Sequence, residues 1–203
     1  MTTCQYIGIF ILRIFTSNLI VGYYSVAERI YFGMKLMLGI YSQVIYPAVC
    51  QLVHKGRKEL ILFFRQHYLP FLAMVIAGSG VVFIFSGQIL HFFIGYEHEQ
   101  SSFLLRVMCV ATVIVCLNIP AYLVLLAANH KKNYLRIYTI GTLLNILSNI
   151  VLVQFFDATG TVVSVIITEF FITAGLYREV YRLYVNHKNE GMSFFKSLFY
   201  ENK

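Results

Sequence analysis

Two ionisable side chains of opposite sign stand deep inside apolar stretches of this chain. Lys35 lies about ten residues into one stretch and Glu169 about ten residues into another, which at a rise of about 1.5 Å per helical residue places each roughly 15 Å from the same side. A charge at the centre of a membrane helix costs about 2.5–3.5 kcal/mol on insertion scales. We interpret Glu169 as a candidate proton- or cation-coupling site, with a fixed structural pair between Glu169 and Lys35 as the alternative.

Lys35 belongs to a polar stripe on one predicted helix. At a rotation of about 100° per residue, the residues that share this stripe are Glu28, Lys35, Gly39, Ser42 and Tyr46. The other directions carry the apolar residues Leu36, Leu38, Ile40 and Val44. We therefore expect the stripe to face water or a polar cavity. The alternative is that Glu28 and Arg29 extend to the outer interface while Lys35 pairs with a neighbouring carbonyl or acid.

Three arginines within the apolar stretches add positive charge near this stripe, namely Arg13, Arg29 and Arg106. Arginine binds phosphate oxygens in bidentate fashion and lysine binds them as a point charge. Together with Lys35, the arginines predict a cationic cavity for a phosphate or pyrophosphate group. For Arg106, an extension to the membrane interface is the alternative interpretation.

Other polar residues of the apolar stretches predict packing rather than chemistry. One helix face carries Gly141, Asn145, Ser148 and Asn149, and such faces usually join membrane helices to one another. The histidines and cysteines do not have the spacing of metal ligands. We therefore expect no metal, no cofactor and no catalytic residue.

The composition requires that these residues be held by membrane helices. Hydrophobic residues make up 59% of the 203-residue chain and charged residues 12%, whereas soluble domains are about half apolar and a quarter charged. A spanning helix needs about 20 apolar residues, and the apolar stretches are 6–21, 25–53, 64–94, 102–128, 134–156 and 159–184. We predict an all-α membrane protein with about six transmembrane helices in one bundle. Its parts are a weak or shortened first segment (1–24), a five-helix remainder (25–184) and a basic cytoplasmic tail (185–203).

The charges between the stretches predict an orientation. Basic residues fill the gaps at 54–59 and 129–133 and the tail, whereas the gaps at 95–101 and 157–158 contain acids without Lys or Arg. Basic loops stay in the cytoplasm, so both termini are expected inside. The net charge of +7 then reflects membrane topology, and we expect no nucleic-acid partner.

Specific segments of the sequence resemble a known family. These are 21–30 with the letters VGYYSVAERI, 43–47 with QVIYP, 129–133 with NHKKN, and Gly160 followed by Ile167, Thr168 and Glu169. They are similar to segments of the O-antigen and polysaccharide flippases of the multidrug/oligosaccharidyl-lipid/polysaccharide exporter superfamily. In that family the segments belong to the C-terminal half of a longer protein. Glu28, Arg29, Tyr46 and Pro47 match positions of the family pattern.

The resemblance implies one helical bundle, the C-terminal half, of a MATE-like exporter fold in the bacterial cytoplasmic membrane. It implies translocation of a polyprenyl-pyrophosphate-linked O-antigen or other polysaccharide repeat unit, with membrane lipids and a lipid-linked oligosaccharide as partners. A missing N-terminal half, or other O-antigen assembly proteins, are further expected partners. The alternatives are a drug or cation exporter of the same superfamily and a nonfunctional or auxiliary half-transporter. A membrane enzyme is disfavoured because the outer gaps are short.

Overall fold

The computed structural model describes the backbone of residues 2–53, 55–94 and 99–200, and the side chains of 8–53, 55–56, 58–92 and 99–183. Over these residues the chain is helical almost throughout. The helices are α1 (Thr2–Phe15), α2 (Asn18–Val53), α3 (Arg57–Phe63), α4 (Leu69–Ile84), α5 (Ser86–Ile94), α6 (Glu99–Ala127) and α7 (Lys131–Tyr200), with a π-helical turn, Phe64–Tyr68, between α3 and α4. The predicted all-α class is confirmed for the described residues. The acid Glu97 and all side chains of the basic tail (185–203) lie outside the described residues.

Four segments of the described chain are long and apolar enough to cross a membrane: Asn18–Val53, Lys58–Ile84, Glu99–Ala127 and Lys131–Leu183. Helix α1 is not among them, because its 14 residues extend only about 21 Å against a hydrocarbon core of about 30 Å. It also ends at Phe15, earlier than the predicted stretch 6–21. At the helix end, the backbone N–H and the hydroxyl of Thr16 both donate to the carbonyl of Leu12, at 2.9 Å and 2.6 Å.

Helix α7 folds back on itself at Asp157, which separates a first arm (131–156) from a second arm (158–183). Asp157 has φ 48° and ψ −132°, a backbone conformation that L-residues rarely adopt. Gly160, the third residue of the second arm, lies so close to Leu152 that an added Cβ would be 2.3 Å from its carbonyl oxygen. The two arms therefore pack as an antiparallel hairpin, and each is long enough to cross the membrane on its own.

The two arms contact each other at several points between Asp157 and their far ends. The amide of Asn145 donates to Thr168 Oγ1 at 3.1 Å, and near the far end Asn133 donates to Glu179 at 3.1 Å. Small residues allow the close approach between these points, since a Cβ on Gly141 would meet Ile172 at 2.7 Å. The face predicted to pack helices together is thus used inside the hairpin.

Helix α6 lies at the centre of the bundle, packed against α2, α4 and α7, and it contains Pro120. Proline has no backbone N–H, so the carbonyl four residues earlier loses its helical donor. That carbonyl belongs to Cys116, and the Tyr68 hydroxyl donates to it at 2.8 Å. The adjacent carbonyl of Leu117 accepts from the Tyr177 hydroxyl at 3.0 Å. Tyr68, in the π-helical turn before α4, therefore satisfies the carbonyl that the proline leaves without a donor, and Tyr177 of α7 adds a contact at the next carbonyl.

We expect Tyr68→Phe to destabilise the bundle by about 1–3 kcal/mol, because it leaves the buried Cys116 carbonyl without a donor. In a Pro120→Ala background the restored N–H of residue 120 can bond that carbonyl, so the same Tyr68→Phe change should cost much less. The measurement is thermal unfolding of the four purified variants in one detergent. Equal losses in both backgrounds would show that the hydroxyl does not serve the proline break.

Candidate functional site

A polar cavity of about 340 Å³ lies between α1, α2 and the two arms of α7. Among the described residues its wall contains three formally charged side chains, Glu28, Lys35 and Glu169. The uncharged polar residues on the wall are Tyr24, Tyr31, Tyr134, Tyr138, Thr139, Thr142, Asn145, Asn149, Thr161 and Thr168. A site with this lining can bind a group that offers hydrogen bonds and charge.

An ion pair between α2 and α7 forms the centre of the cavity wall. Lys35 Nζ lies 3.5 Å from Glu169 Oε1 and 5.1 Å from the centroid of the Tyr31 ring. The other carboxylate oxygen of Glu169 accepts a hydrogen bond of 3.2 Å from the side-chain amide of Asn118 on α6. Three helices thus meet at one carboxylate, whose side chain is 9% exposed.

The position of this pair follows from the helices that carry it. Lys35 lies midway along α2 (Asn18–Val53), and Glu169 lies midway along the second arm of α7. Asn118 stands two residues before Pro120 in α6, where the helix is already interrupted. The pair therefore lies at the middle of both helical segments. An unpaired charge at the middle of a membrane helix is especially unfavourable.

Several buried polar atoms around the cavity have no hydrogen-bond partner in the described part of the chain. Three of them are Tyr31 Oη, Asn149 Oδ1 and Thr161 Oγ1, all on residues of the cavity wall. Each belongs to a residue that is at most 3% exposed. Buried polar groups are normally satisfied, so these three atoms are free to bind an occupant of the cavity or water.

Of the eight residues predicted for the site, the structure brings together Glu28, Lys35 and Glu169. Arg13 and Arg29 are exposed and are not on the cavity wall. Arg106 is also exposed, and its Nε donates to Ser86 at 2.8 Å. The predicted cationic cavity thus contains one of its four cations in this structure.

Ser42 and Tyr46 also lie away from the main cavity. The hydroxyl of Ser42 donates to the Gly39 carbonyl of its own helix at 2.7 Å, and Tyr46 is half-buried one turn further along. A second, more apolar cavity of about 340 Å³ opens between α2 and α6, and Lys35, Asn118 and Tyr138 lie on its wall. Lys35 and Tyr138 therefore belong to both cavities.

Most of the uncharged cavity-wall residues on α7 were not predicted from the sequence. A helical spacing could have found them, because Tyr134, Tyr138, Thr142, Asn145 and Asn149 recur every three or four residues along the first arm. Thr161, Val165, Thr168 and Ile172 do the same along the second arm. The asparagines were assigned to packing. Asn145 does bond across the hairpin, whereas Asn149 lies on the cavity wall and its side-chain oxygen has no partner among the described residues.

No group of three or more His, Cys, Asp or Glu residues that could hold a metal ion occurs in the described part of the chain. The described cysteines, Cys50, Cys109 and Cys116, are free thiols. The chemistry that this wall offers is therefore hydrogen bonding and charge pairing by oxygen atoms and one ammonium group.

We expect Lys35→Met to lower stability by about 3–5 kcal/mol, because it leaves Glu169 as a buried charge without its partner. The double variant Lys35→Met/Glu169→Leu should recover most of that loss, since removal of both charges leaves no uncompensated group. Thermal unfolding in detergent of the wild type, both single variants and the double variant gives the coupling. Additive losses would mean that the two side chains do not stabilise each other.

The cavity should be open to water and the opposite face of the same helix to lipid. In a cysteine-free background, Thr142→Cys lies on the cavity wall, whereas its neighbour Leu143 is 56% exposed on the outer surface. We expect a charged thiol reagent to modify Thr142→Cys at least about tenfold faster than Leu143→Cys, because the thiolate forms only where water reaches it. Similar rates at both positions would contradict a water-filled cavity.

The chain was compared with protein-family models, with curated proteins and with solved structures. No match was found in any of the three comparisons. A function for this chain is therefore proposed chiefly from the geometry of Lys35, Glu169 and the surrounding oxygen atoms.

Proposed function

We propose that this chain is a membrane transport bundle that takes part in translocating a lipid-linked polysaccharide repeat unit. The observation that carries the proposal is the enclosed Lys35–Glu169 ion pair on the wall of a polar cavity. Ionisable groups at the centre of membrane helices are costly and mark substrate or ion pathways. The family resemblance of the 21–30 and 43–47 segments supports the choice of substrate.

The lining of the cavity suits the polar headgroup of such a substrate. Neutral hydroxyl and amide groups from both arms of α7 can bond sugar hydroxyls, and the rings of Tyr24 and Tyr31 offer apolar faces. Its volume of about 340 Å³ lies in the lower part of the range of small-molecule sites, about 300–1,000 Å³. The cavity is therefore suited to part of a repeat unit at a time.

Lys35 gives the headgroup a charged contact. An ammonium group has three donors, and in the structure Lys35 forms one ion pair, with Glu169. A phosphate that approaches Lys35 competes with that carboxylate, and a proton on Glu169 removes the competition. Binding of the headgroup and protonation of Glu169 are thereby linked in the proposed mechanism.

The remaining features of the proposal are its fold and its location. We propose a MATE-like arrangement in the bacterial cytoplasmic membrane, with the gap between α6 and α7 and the C-terminal tail in the cytoplasm. The four apolar segments and the basic residues Lys131 and Lys132 at the start of α7 support this orientation. An N-terminal half-transporter is the proposed partner.

A drug or cation exporter of the same superfamily is the second candidate. One observation favours it: the cavity wall has two carboxylates, Glu28 and Glu169, and one cation, Lys35. Such an excess of negative charge suits a cationic substrate better than an anionic one.

We expect Glu169→Gln to reduce polysaccharide export by about tenfold or more beyond any loss of protein abundance, since the loss of one charge contact in transport is worth at least about 1.4 kcal/mol. The assay is surface polysaccharide in a bacterium that lacks its own flippase, with this chain expressed alone and with an N-terminal half-flippase. The matched control is Glu179→Gln, because Glu179 also has a salt bridge in α7, to Arg182 at 2.9 Å, but is near the helix's cytoplasmic end.

Two outcomes would contradict the proposal. One is that the wild-type chain restores no polysaccharide in either pairing while a cationic dye is exported, which would favour the second candidate. The other is that Glu169→Gln and Glu179→Gln lower export and abundance in parallel, which would assign Glu169 a structural role alone. Export only with the N-terminal half would show that the chain does not act by itself.

A further inference from the structure

Arg106 is an exposed arginine on the apolar outer face of α6. It lies seven residues after Glu99, which is about 10 Å along the helix from its first residue. Its neighbours on the same face, Phe103 and Val110, are 51% and 48% exposed. Among the described residues no salt bridge includes Arg106. Because a guanidinium keeps its charge in proteins, its position between apolar side chains calls for a negative partner.

Two neighbouring side chains hold the guanidinium in one place. Its Nε donates to the hydroxyl of Ser86 at 2.8 Å, and Ser86 is fully buried as the first residue of α5. Its Cζ lies 6.0 Å from the centroid of the Phe83 ring in α4. The hydrogen bond occupies one of the five N–H donors of a guanidinium. The two terminal nitrogens make no hydrogen bond to a described residue, so their edge is free to bind a ligand.

The helices around this guanidinium supply no counter-charge in the part of the chain that the structure describes. Helices α4 and α5 contain neither Asp nor Glu, and the one acid of α6 is Glu99, in its first turn. Helix α2 also packs against α6, but its acid Glu28 lies on the wall of the polar cavity. The negative partner of Arg106 therefore comes from outside these residues.

We propose that Arg106 binds the phosphate of an anionic phospholipid, with Ser86 as the residue that positions its guanidinium. Phosphate oxygens accept two parallel hydrogen bonds from the free edge of a guanidinium. The exposed side chains of Phe103 and Val110 offer an apolar surface to the acyl chains of the same molecule, which a free phosphate ion lacks. A lipid thus supplies both the negative charge and the apolar contact that this face calls for.

The inference goes beyond the proposed glycan transport and does not depend on it, so its test uses no lipid-linked sugar. The chain contains no tryptophan, and a single introduced tryptophan therefore reports the lipids beside it. Phe103→Trp places this reporter one turn before Arg106. Phe170→Trp, at a residue of the second arm of α7 that is 68% exposed, is the control reporter.

Purified full-length protein is reconstituted in phosphatidylcholine vesicles that contain a small fraction of lipid brominated on its acyl chains. The brominated lipid is phosphatidylglycerol, with a net negative headgroup, in one arm and phosphatidylcholine, with a neutral one, in the other. Bromine quenches tryptophan fluorescence at short range. The ratio of quenching in the two arms therefore gives the preference of each reporter position for the anionic lipid.

Three further changes are made separately in the Phe103→Trp protein. Arg106→Gln removes the charge, and Ser86→Ala removes the acceptor of the Nε hydrogen bond while the charge stays. Arg136→Gln is the matched control, because Arg136 is also exposed and lies five residues after the first residue of its helix.

We expect the Phe103→Trp reporter to prefer phosphatidylglycerol by about fivefold, which is the contribution of one basic residue near an anionic membrane surface. The Phe170→Trp reporter should show a preference below about twofold. Arg106→Gln should abolish the preference at position 103, and Arg136→Gln should leave it unchanged. Ser86→Ala should lower it by about half, because the guanidinium keeps its charge but loses its fixed direction. Inorganic phosphate in the buffer should not displace the lipid.

The proposal is overturned if positions 103 and 170 show the same preference, which would mean that a carboxylate of the protein neutralises Arg106 instead. It is also overturned if Arg106→Gln keeps the preference, or if Arg136→Gln abolishes it equally. Displacement of the lipid by inorganic phosphate would assign a free anion and overturn the lipid as the ligand. Should Arg106→Gln not fold, Ser86→Ala decides, and an unchanged preference in that variant would overturn the proposal.

Discussion

The ion pair between Lys35 and Glu169 constrains the arrangement of the whole bundle. In a solvent of lipid chains a lone ammonium or carboxylate at the middle of a helix is unfavourable, and a pair is tolerated only where its remaining hydrogen-bonding positions are filled. Glu169 therefore needs Lys35 on one oxygen and Asn118 on the other. This requires α2, α6 and the second arm of α7 to meet at one height.

Two irregularities of the chain make that meeting possible. The reversal at Asp157 sends the second arm back along the first, so that Glu169 returns to the level of Asn145 and its bonded neighbour Thr168. The interruption at Pro120 lies near Asn118, and the carbonyl of Cys116 that it leaves without a helical donor is satisfied by Tyr68 of a neighbouring element. Local departures from ideal helix geometry are thus compensated by side chains whose partners lie on other helices.

Much of the fold was predictable from residue counting, because hydropathy alone sets the length of membrane helices. The depth of Lys35 and Glu169 followed from their distance to the ends of the apolar stretches, and the exposed positions of Leu36, Ile40 and Val44 followed from helical periodicity. The end of α1 at Phe15 was less predictable, since hydropathy alone carried the first stretch on to Val21. The number of membrane passes for α1 stays a prediction.

The site itself was predictable only in part. The sequence indicates how far along a helix a residue lies and on which face of the helix, but it does not indicate the direction of a long side chain. Arg106 lies at a depth that suited a cavity, yet its guanidinium bonds Ser86 and lies 6.0 Å from the Phe83 ring centroid. The long side chain of arginine can extend several ångströms along an apolar surface before its guanidinium reaches a partner. The net charge of +7 does not describe the cavity either, because many of the basic residues lie near helix ends while the cavity wall is formally negative.

Lys35 lies on the walls of both cavities. Its ammonium pairs with Glu169 on one side, and on the other it borders the apolar cavity between α2 and α6. An anion that approached Lys35 from either cavity would compete with Glu169 for the same ammonium group, because a pair of opposite charges in a region of low dielectric is far more stable than either charge alone. Glu169 would then keep the Asn118 amide on one oxygen but lose its counter-charge, and a proton on Glu169 would remove the cost of that loss.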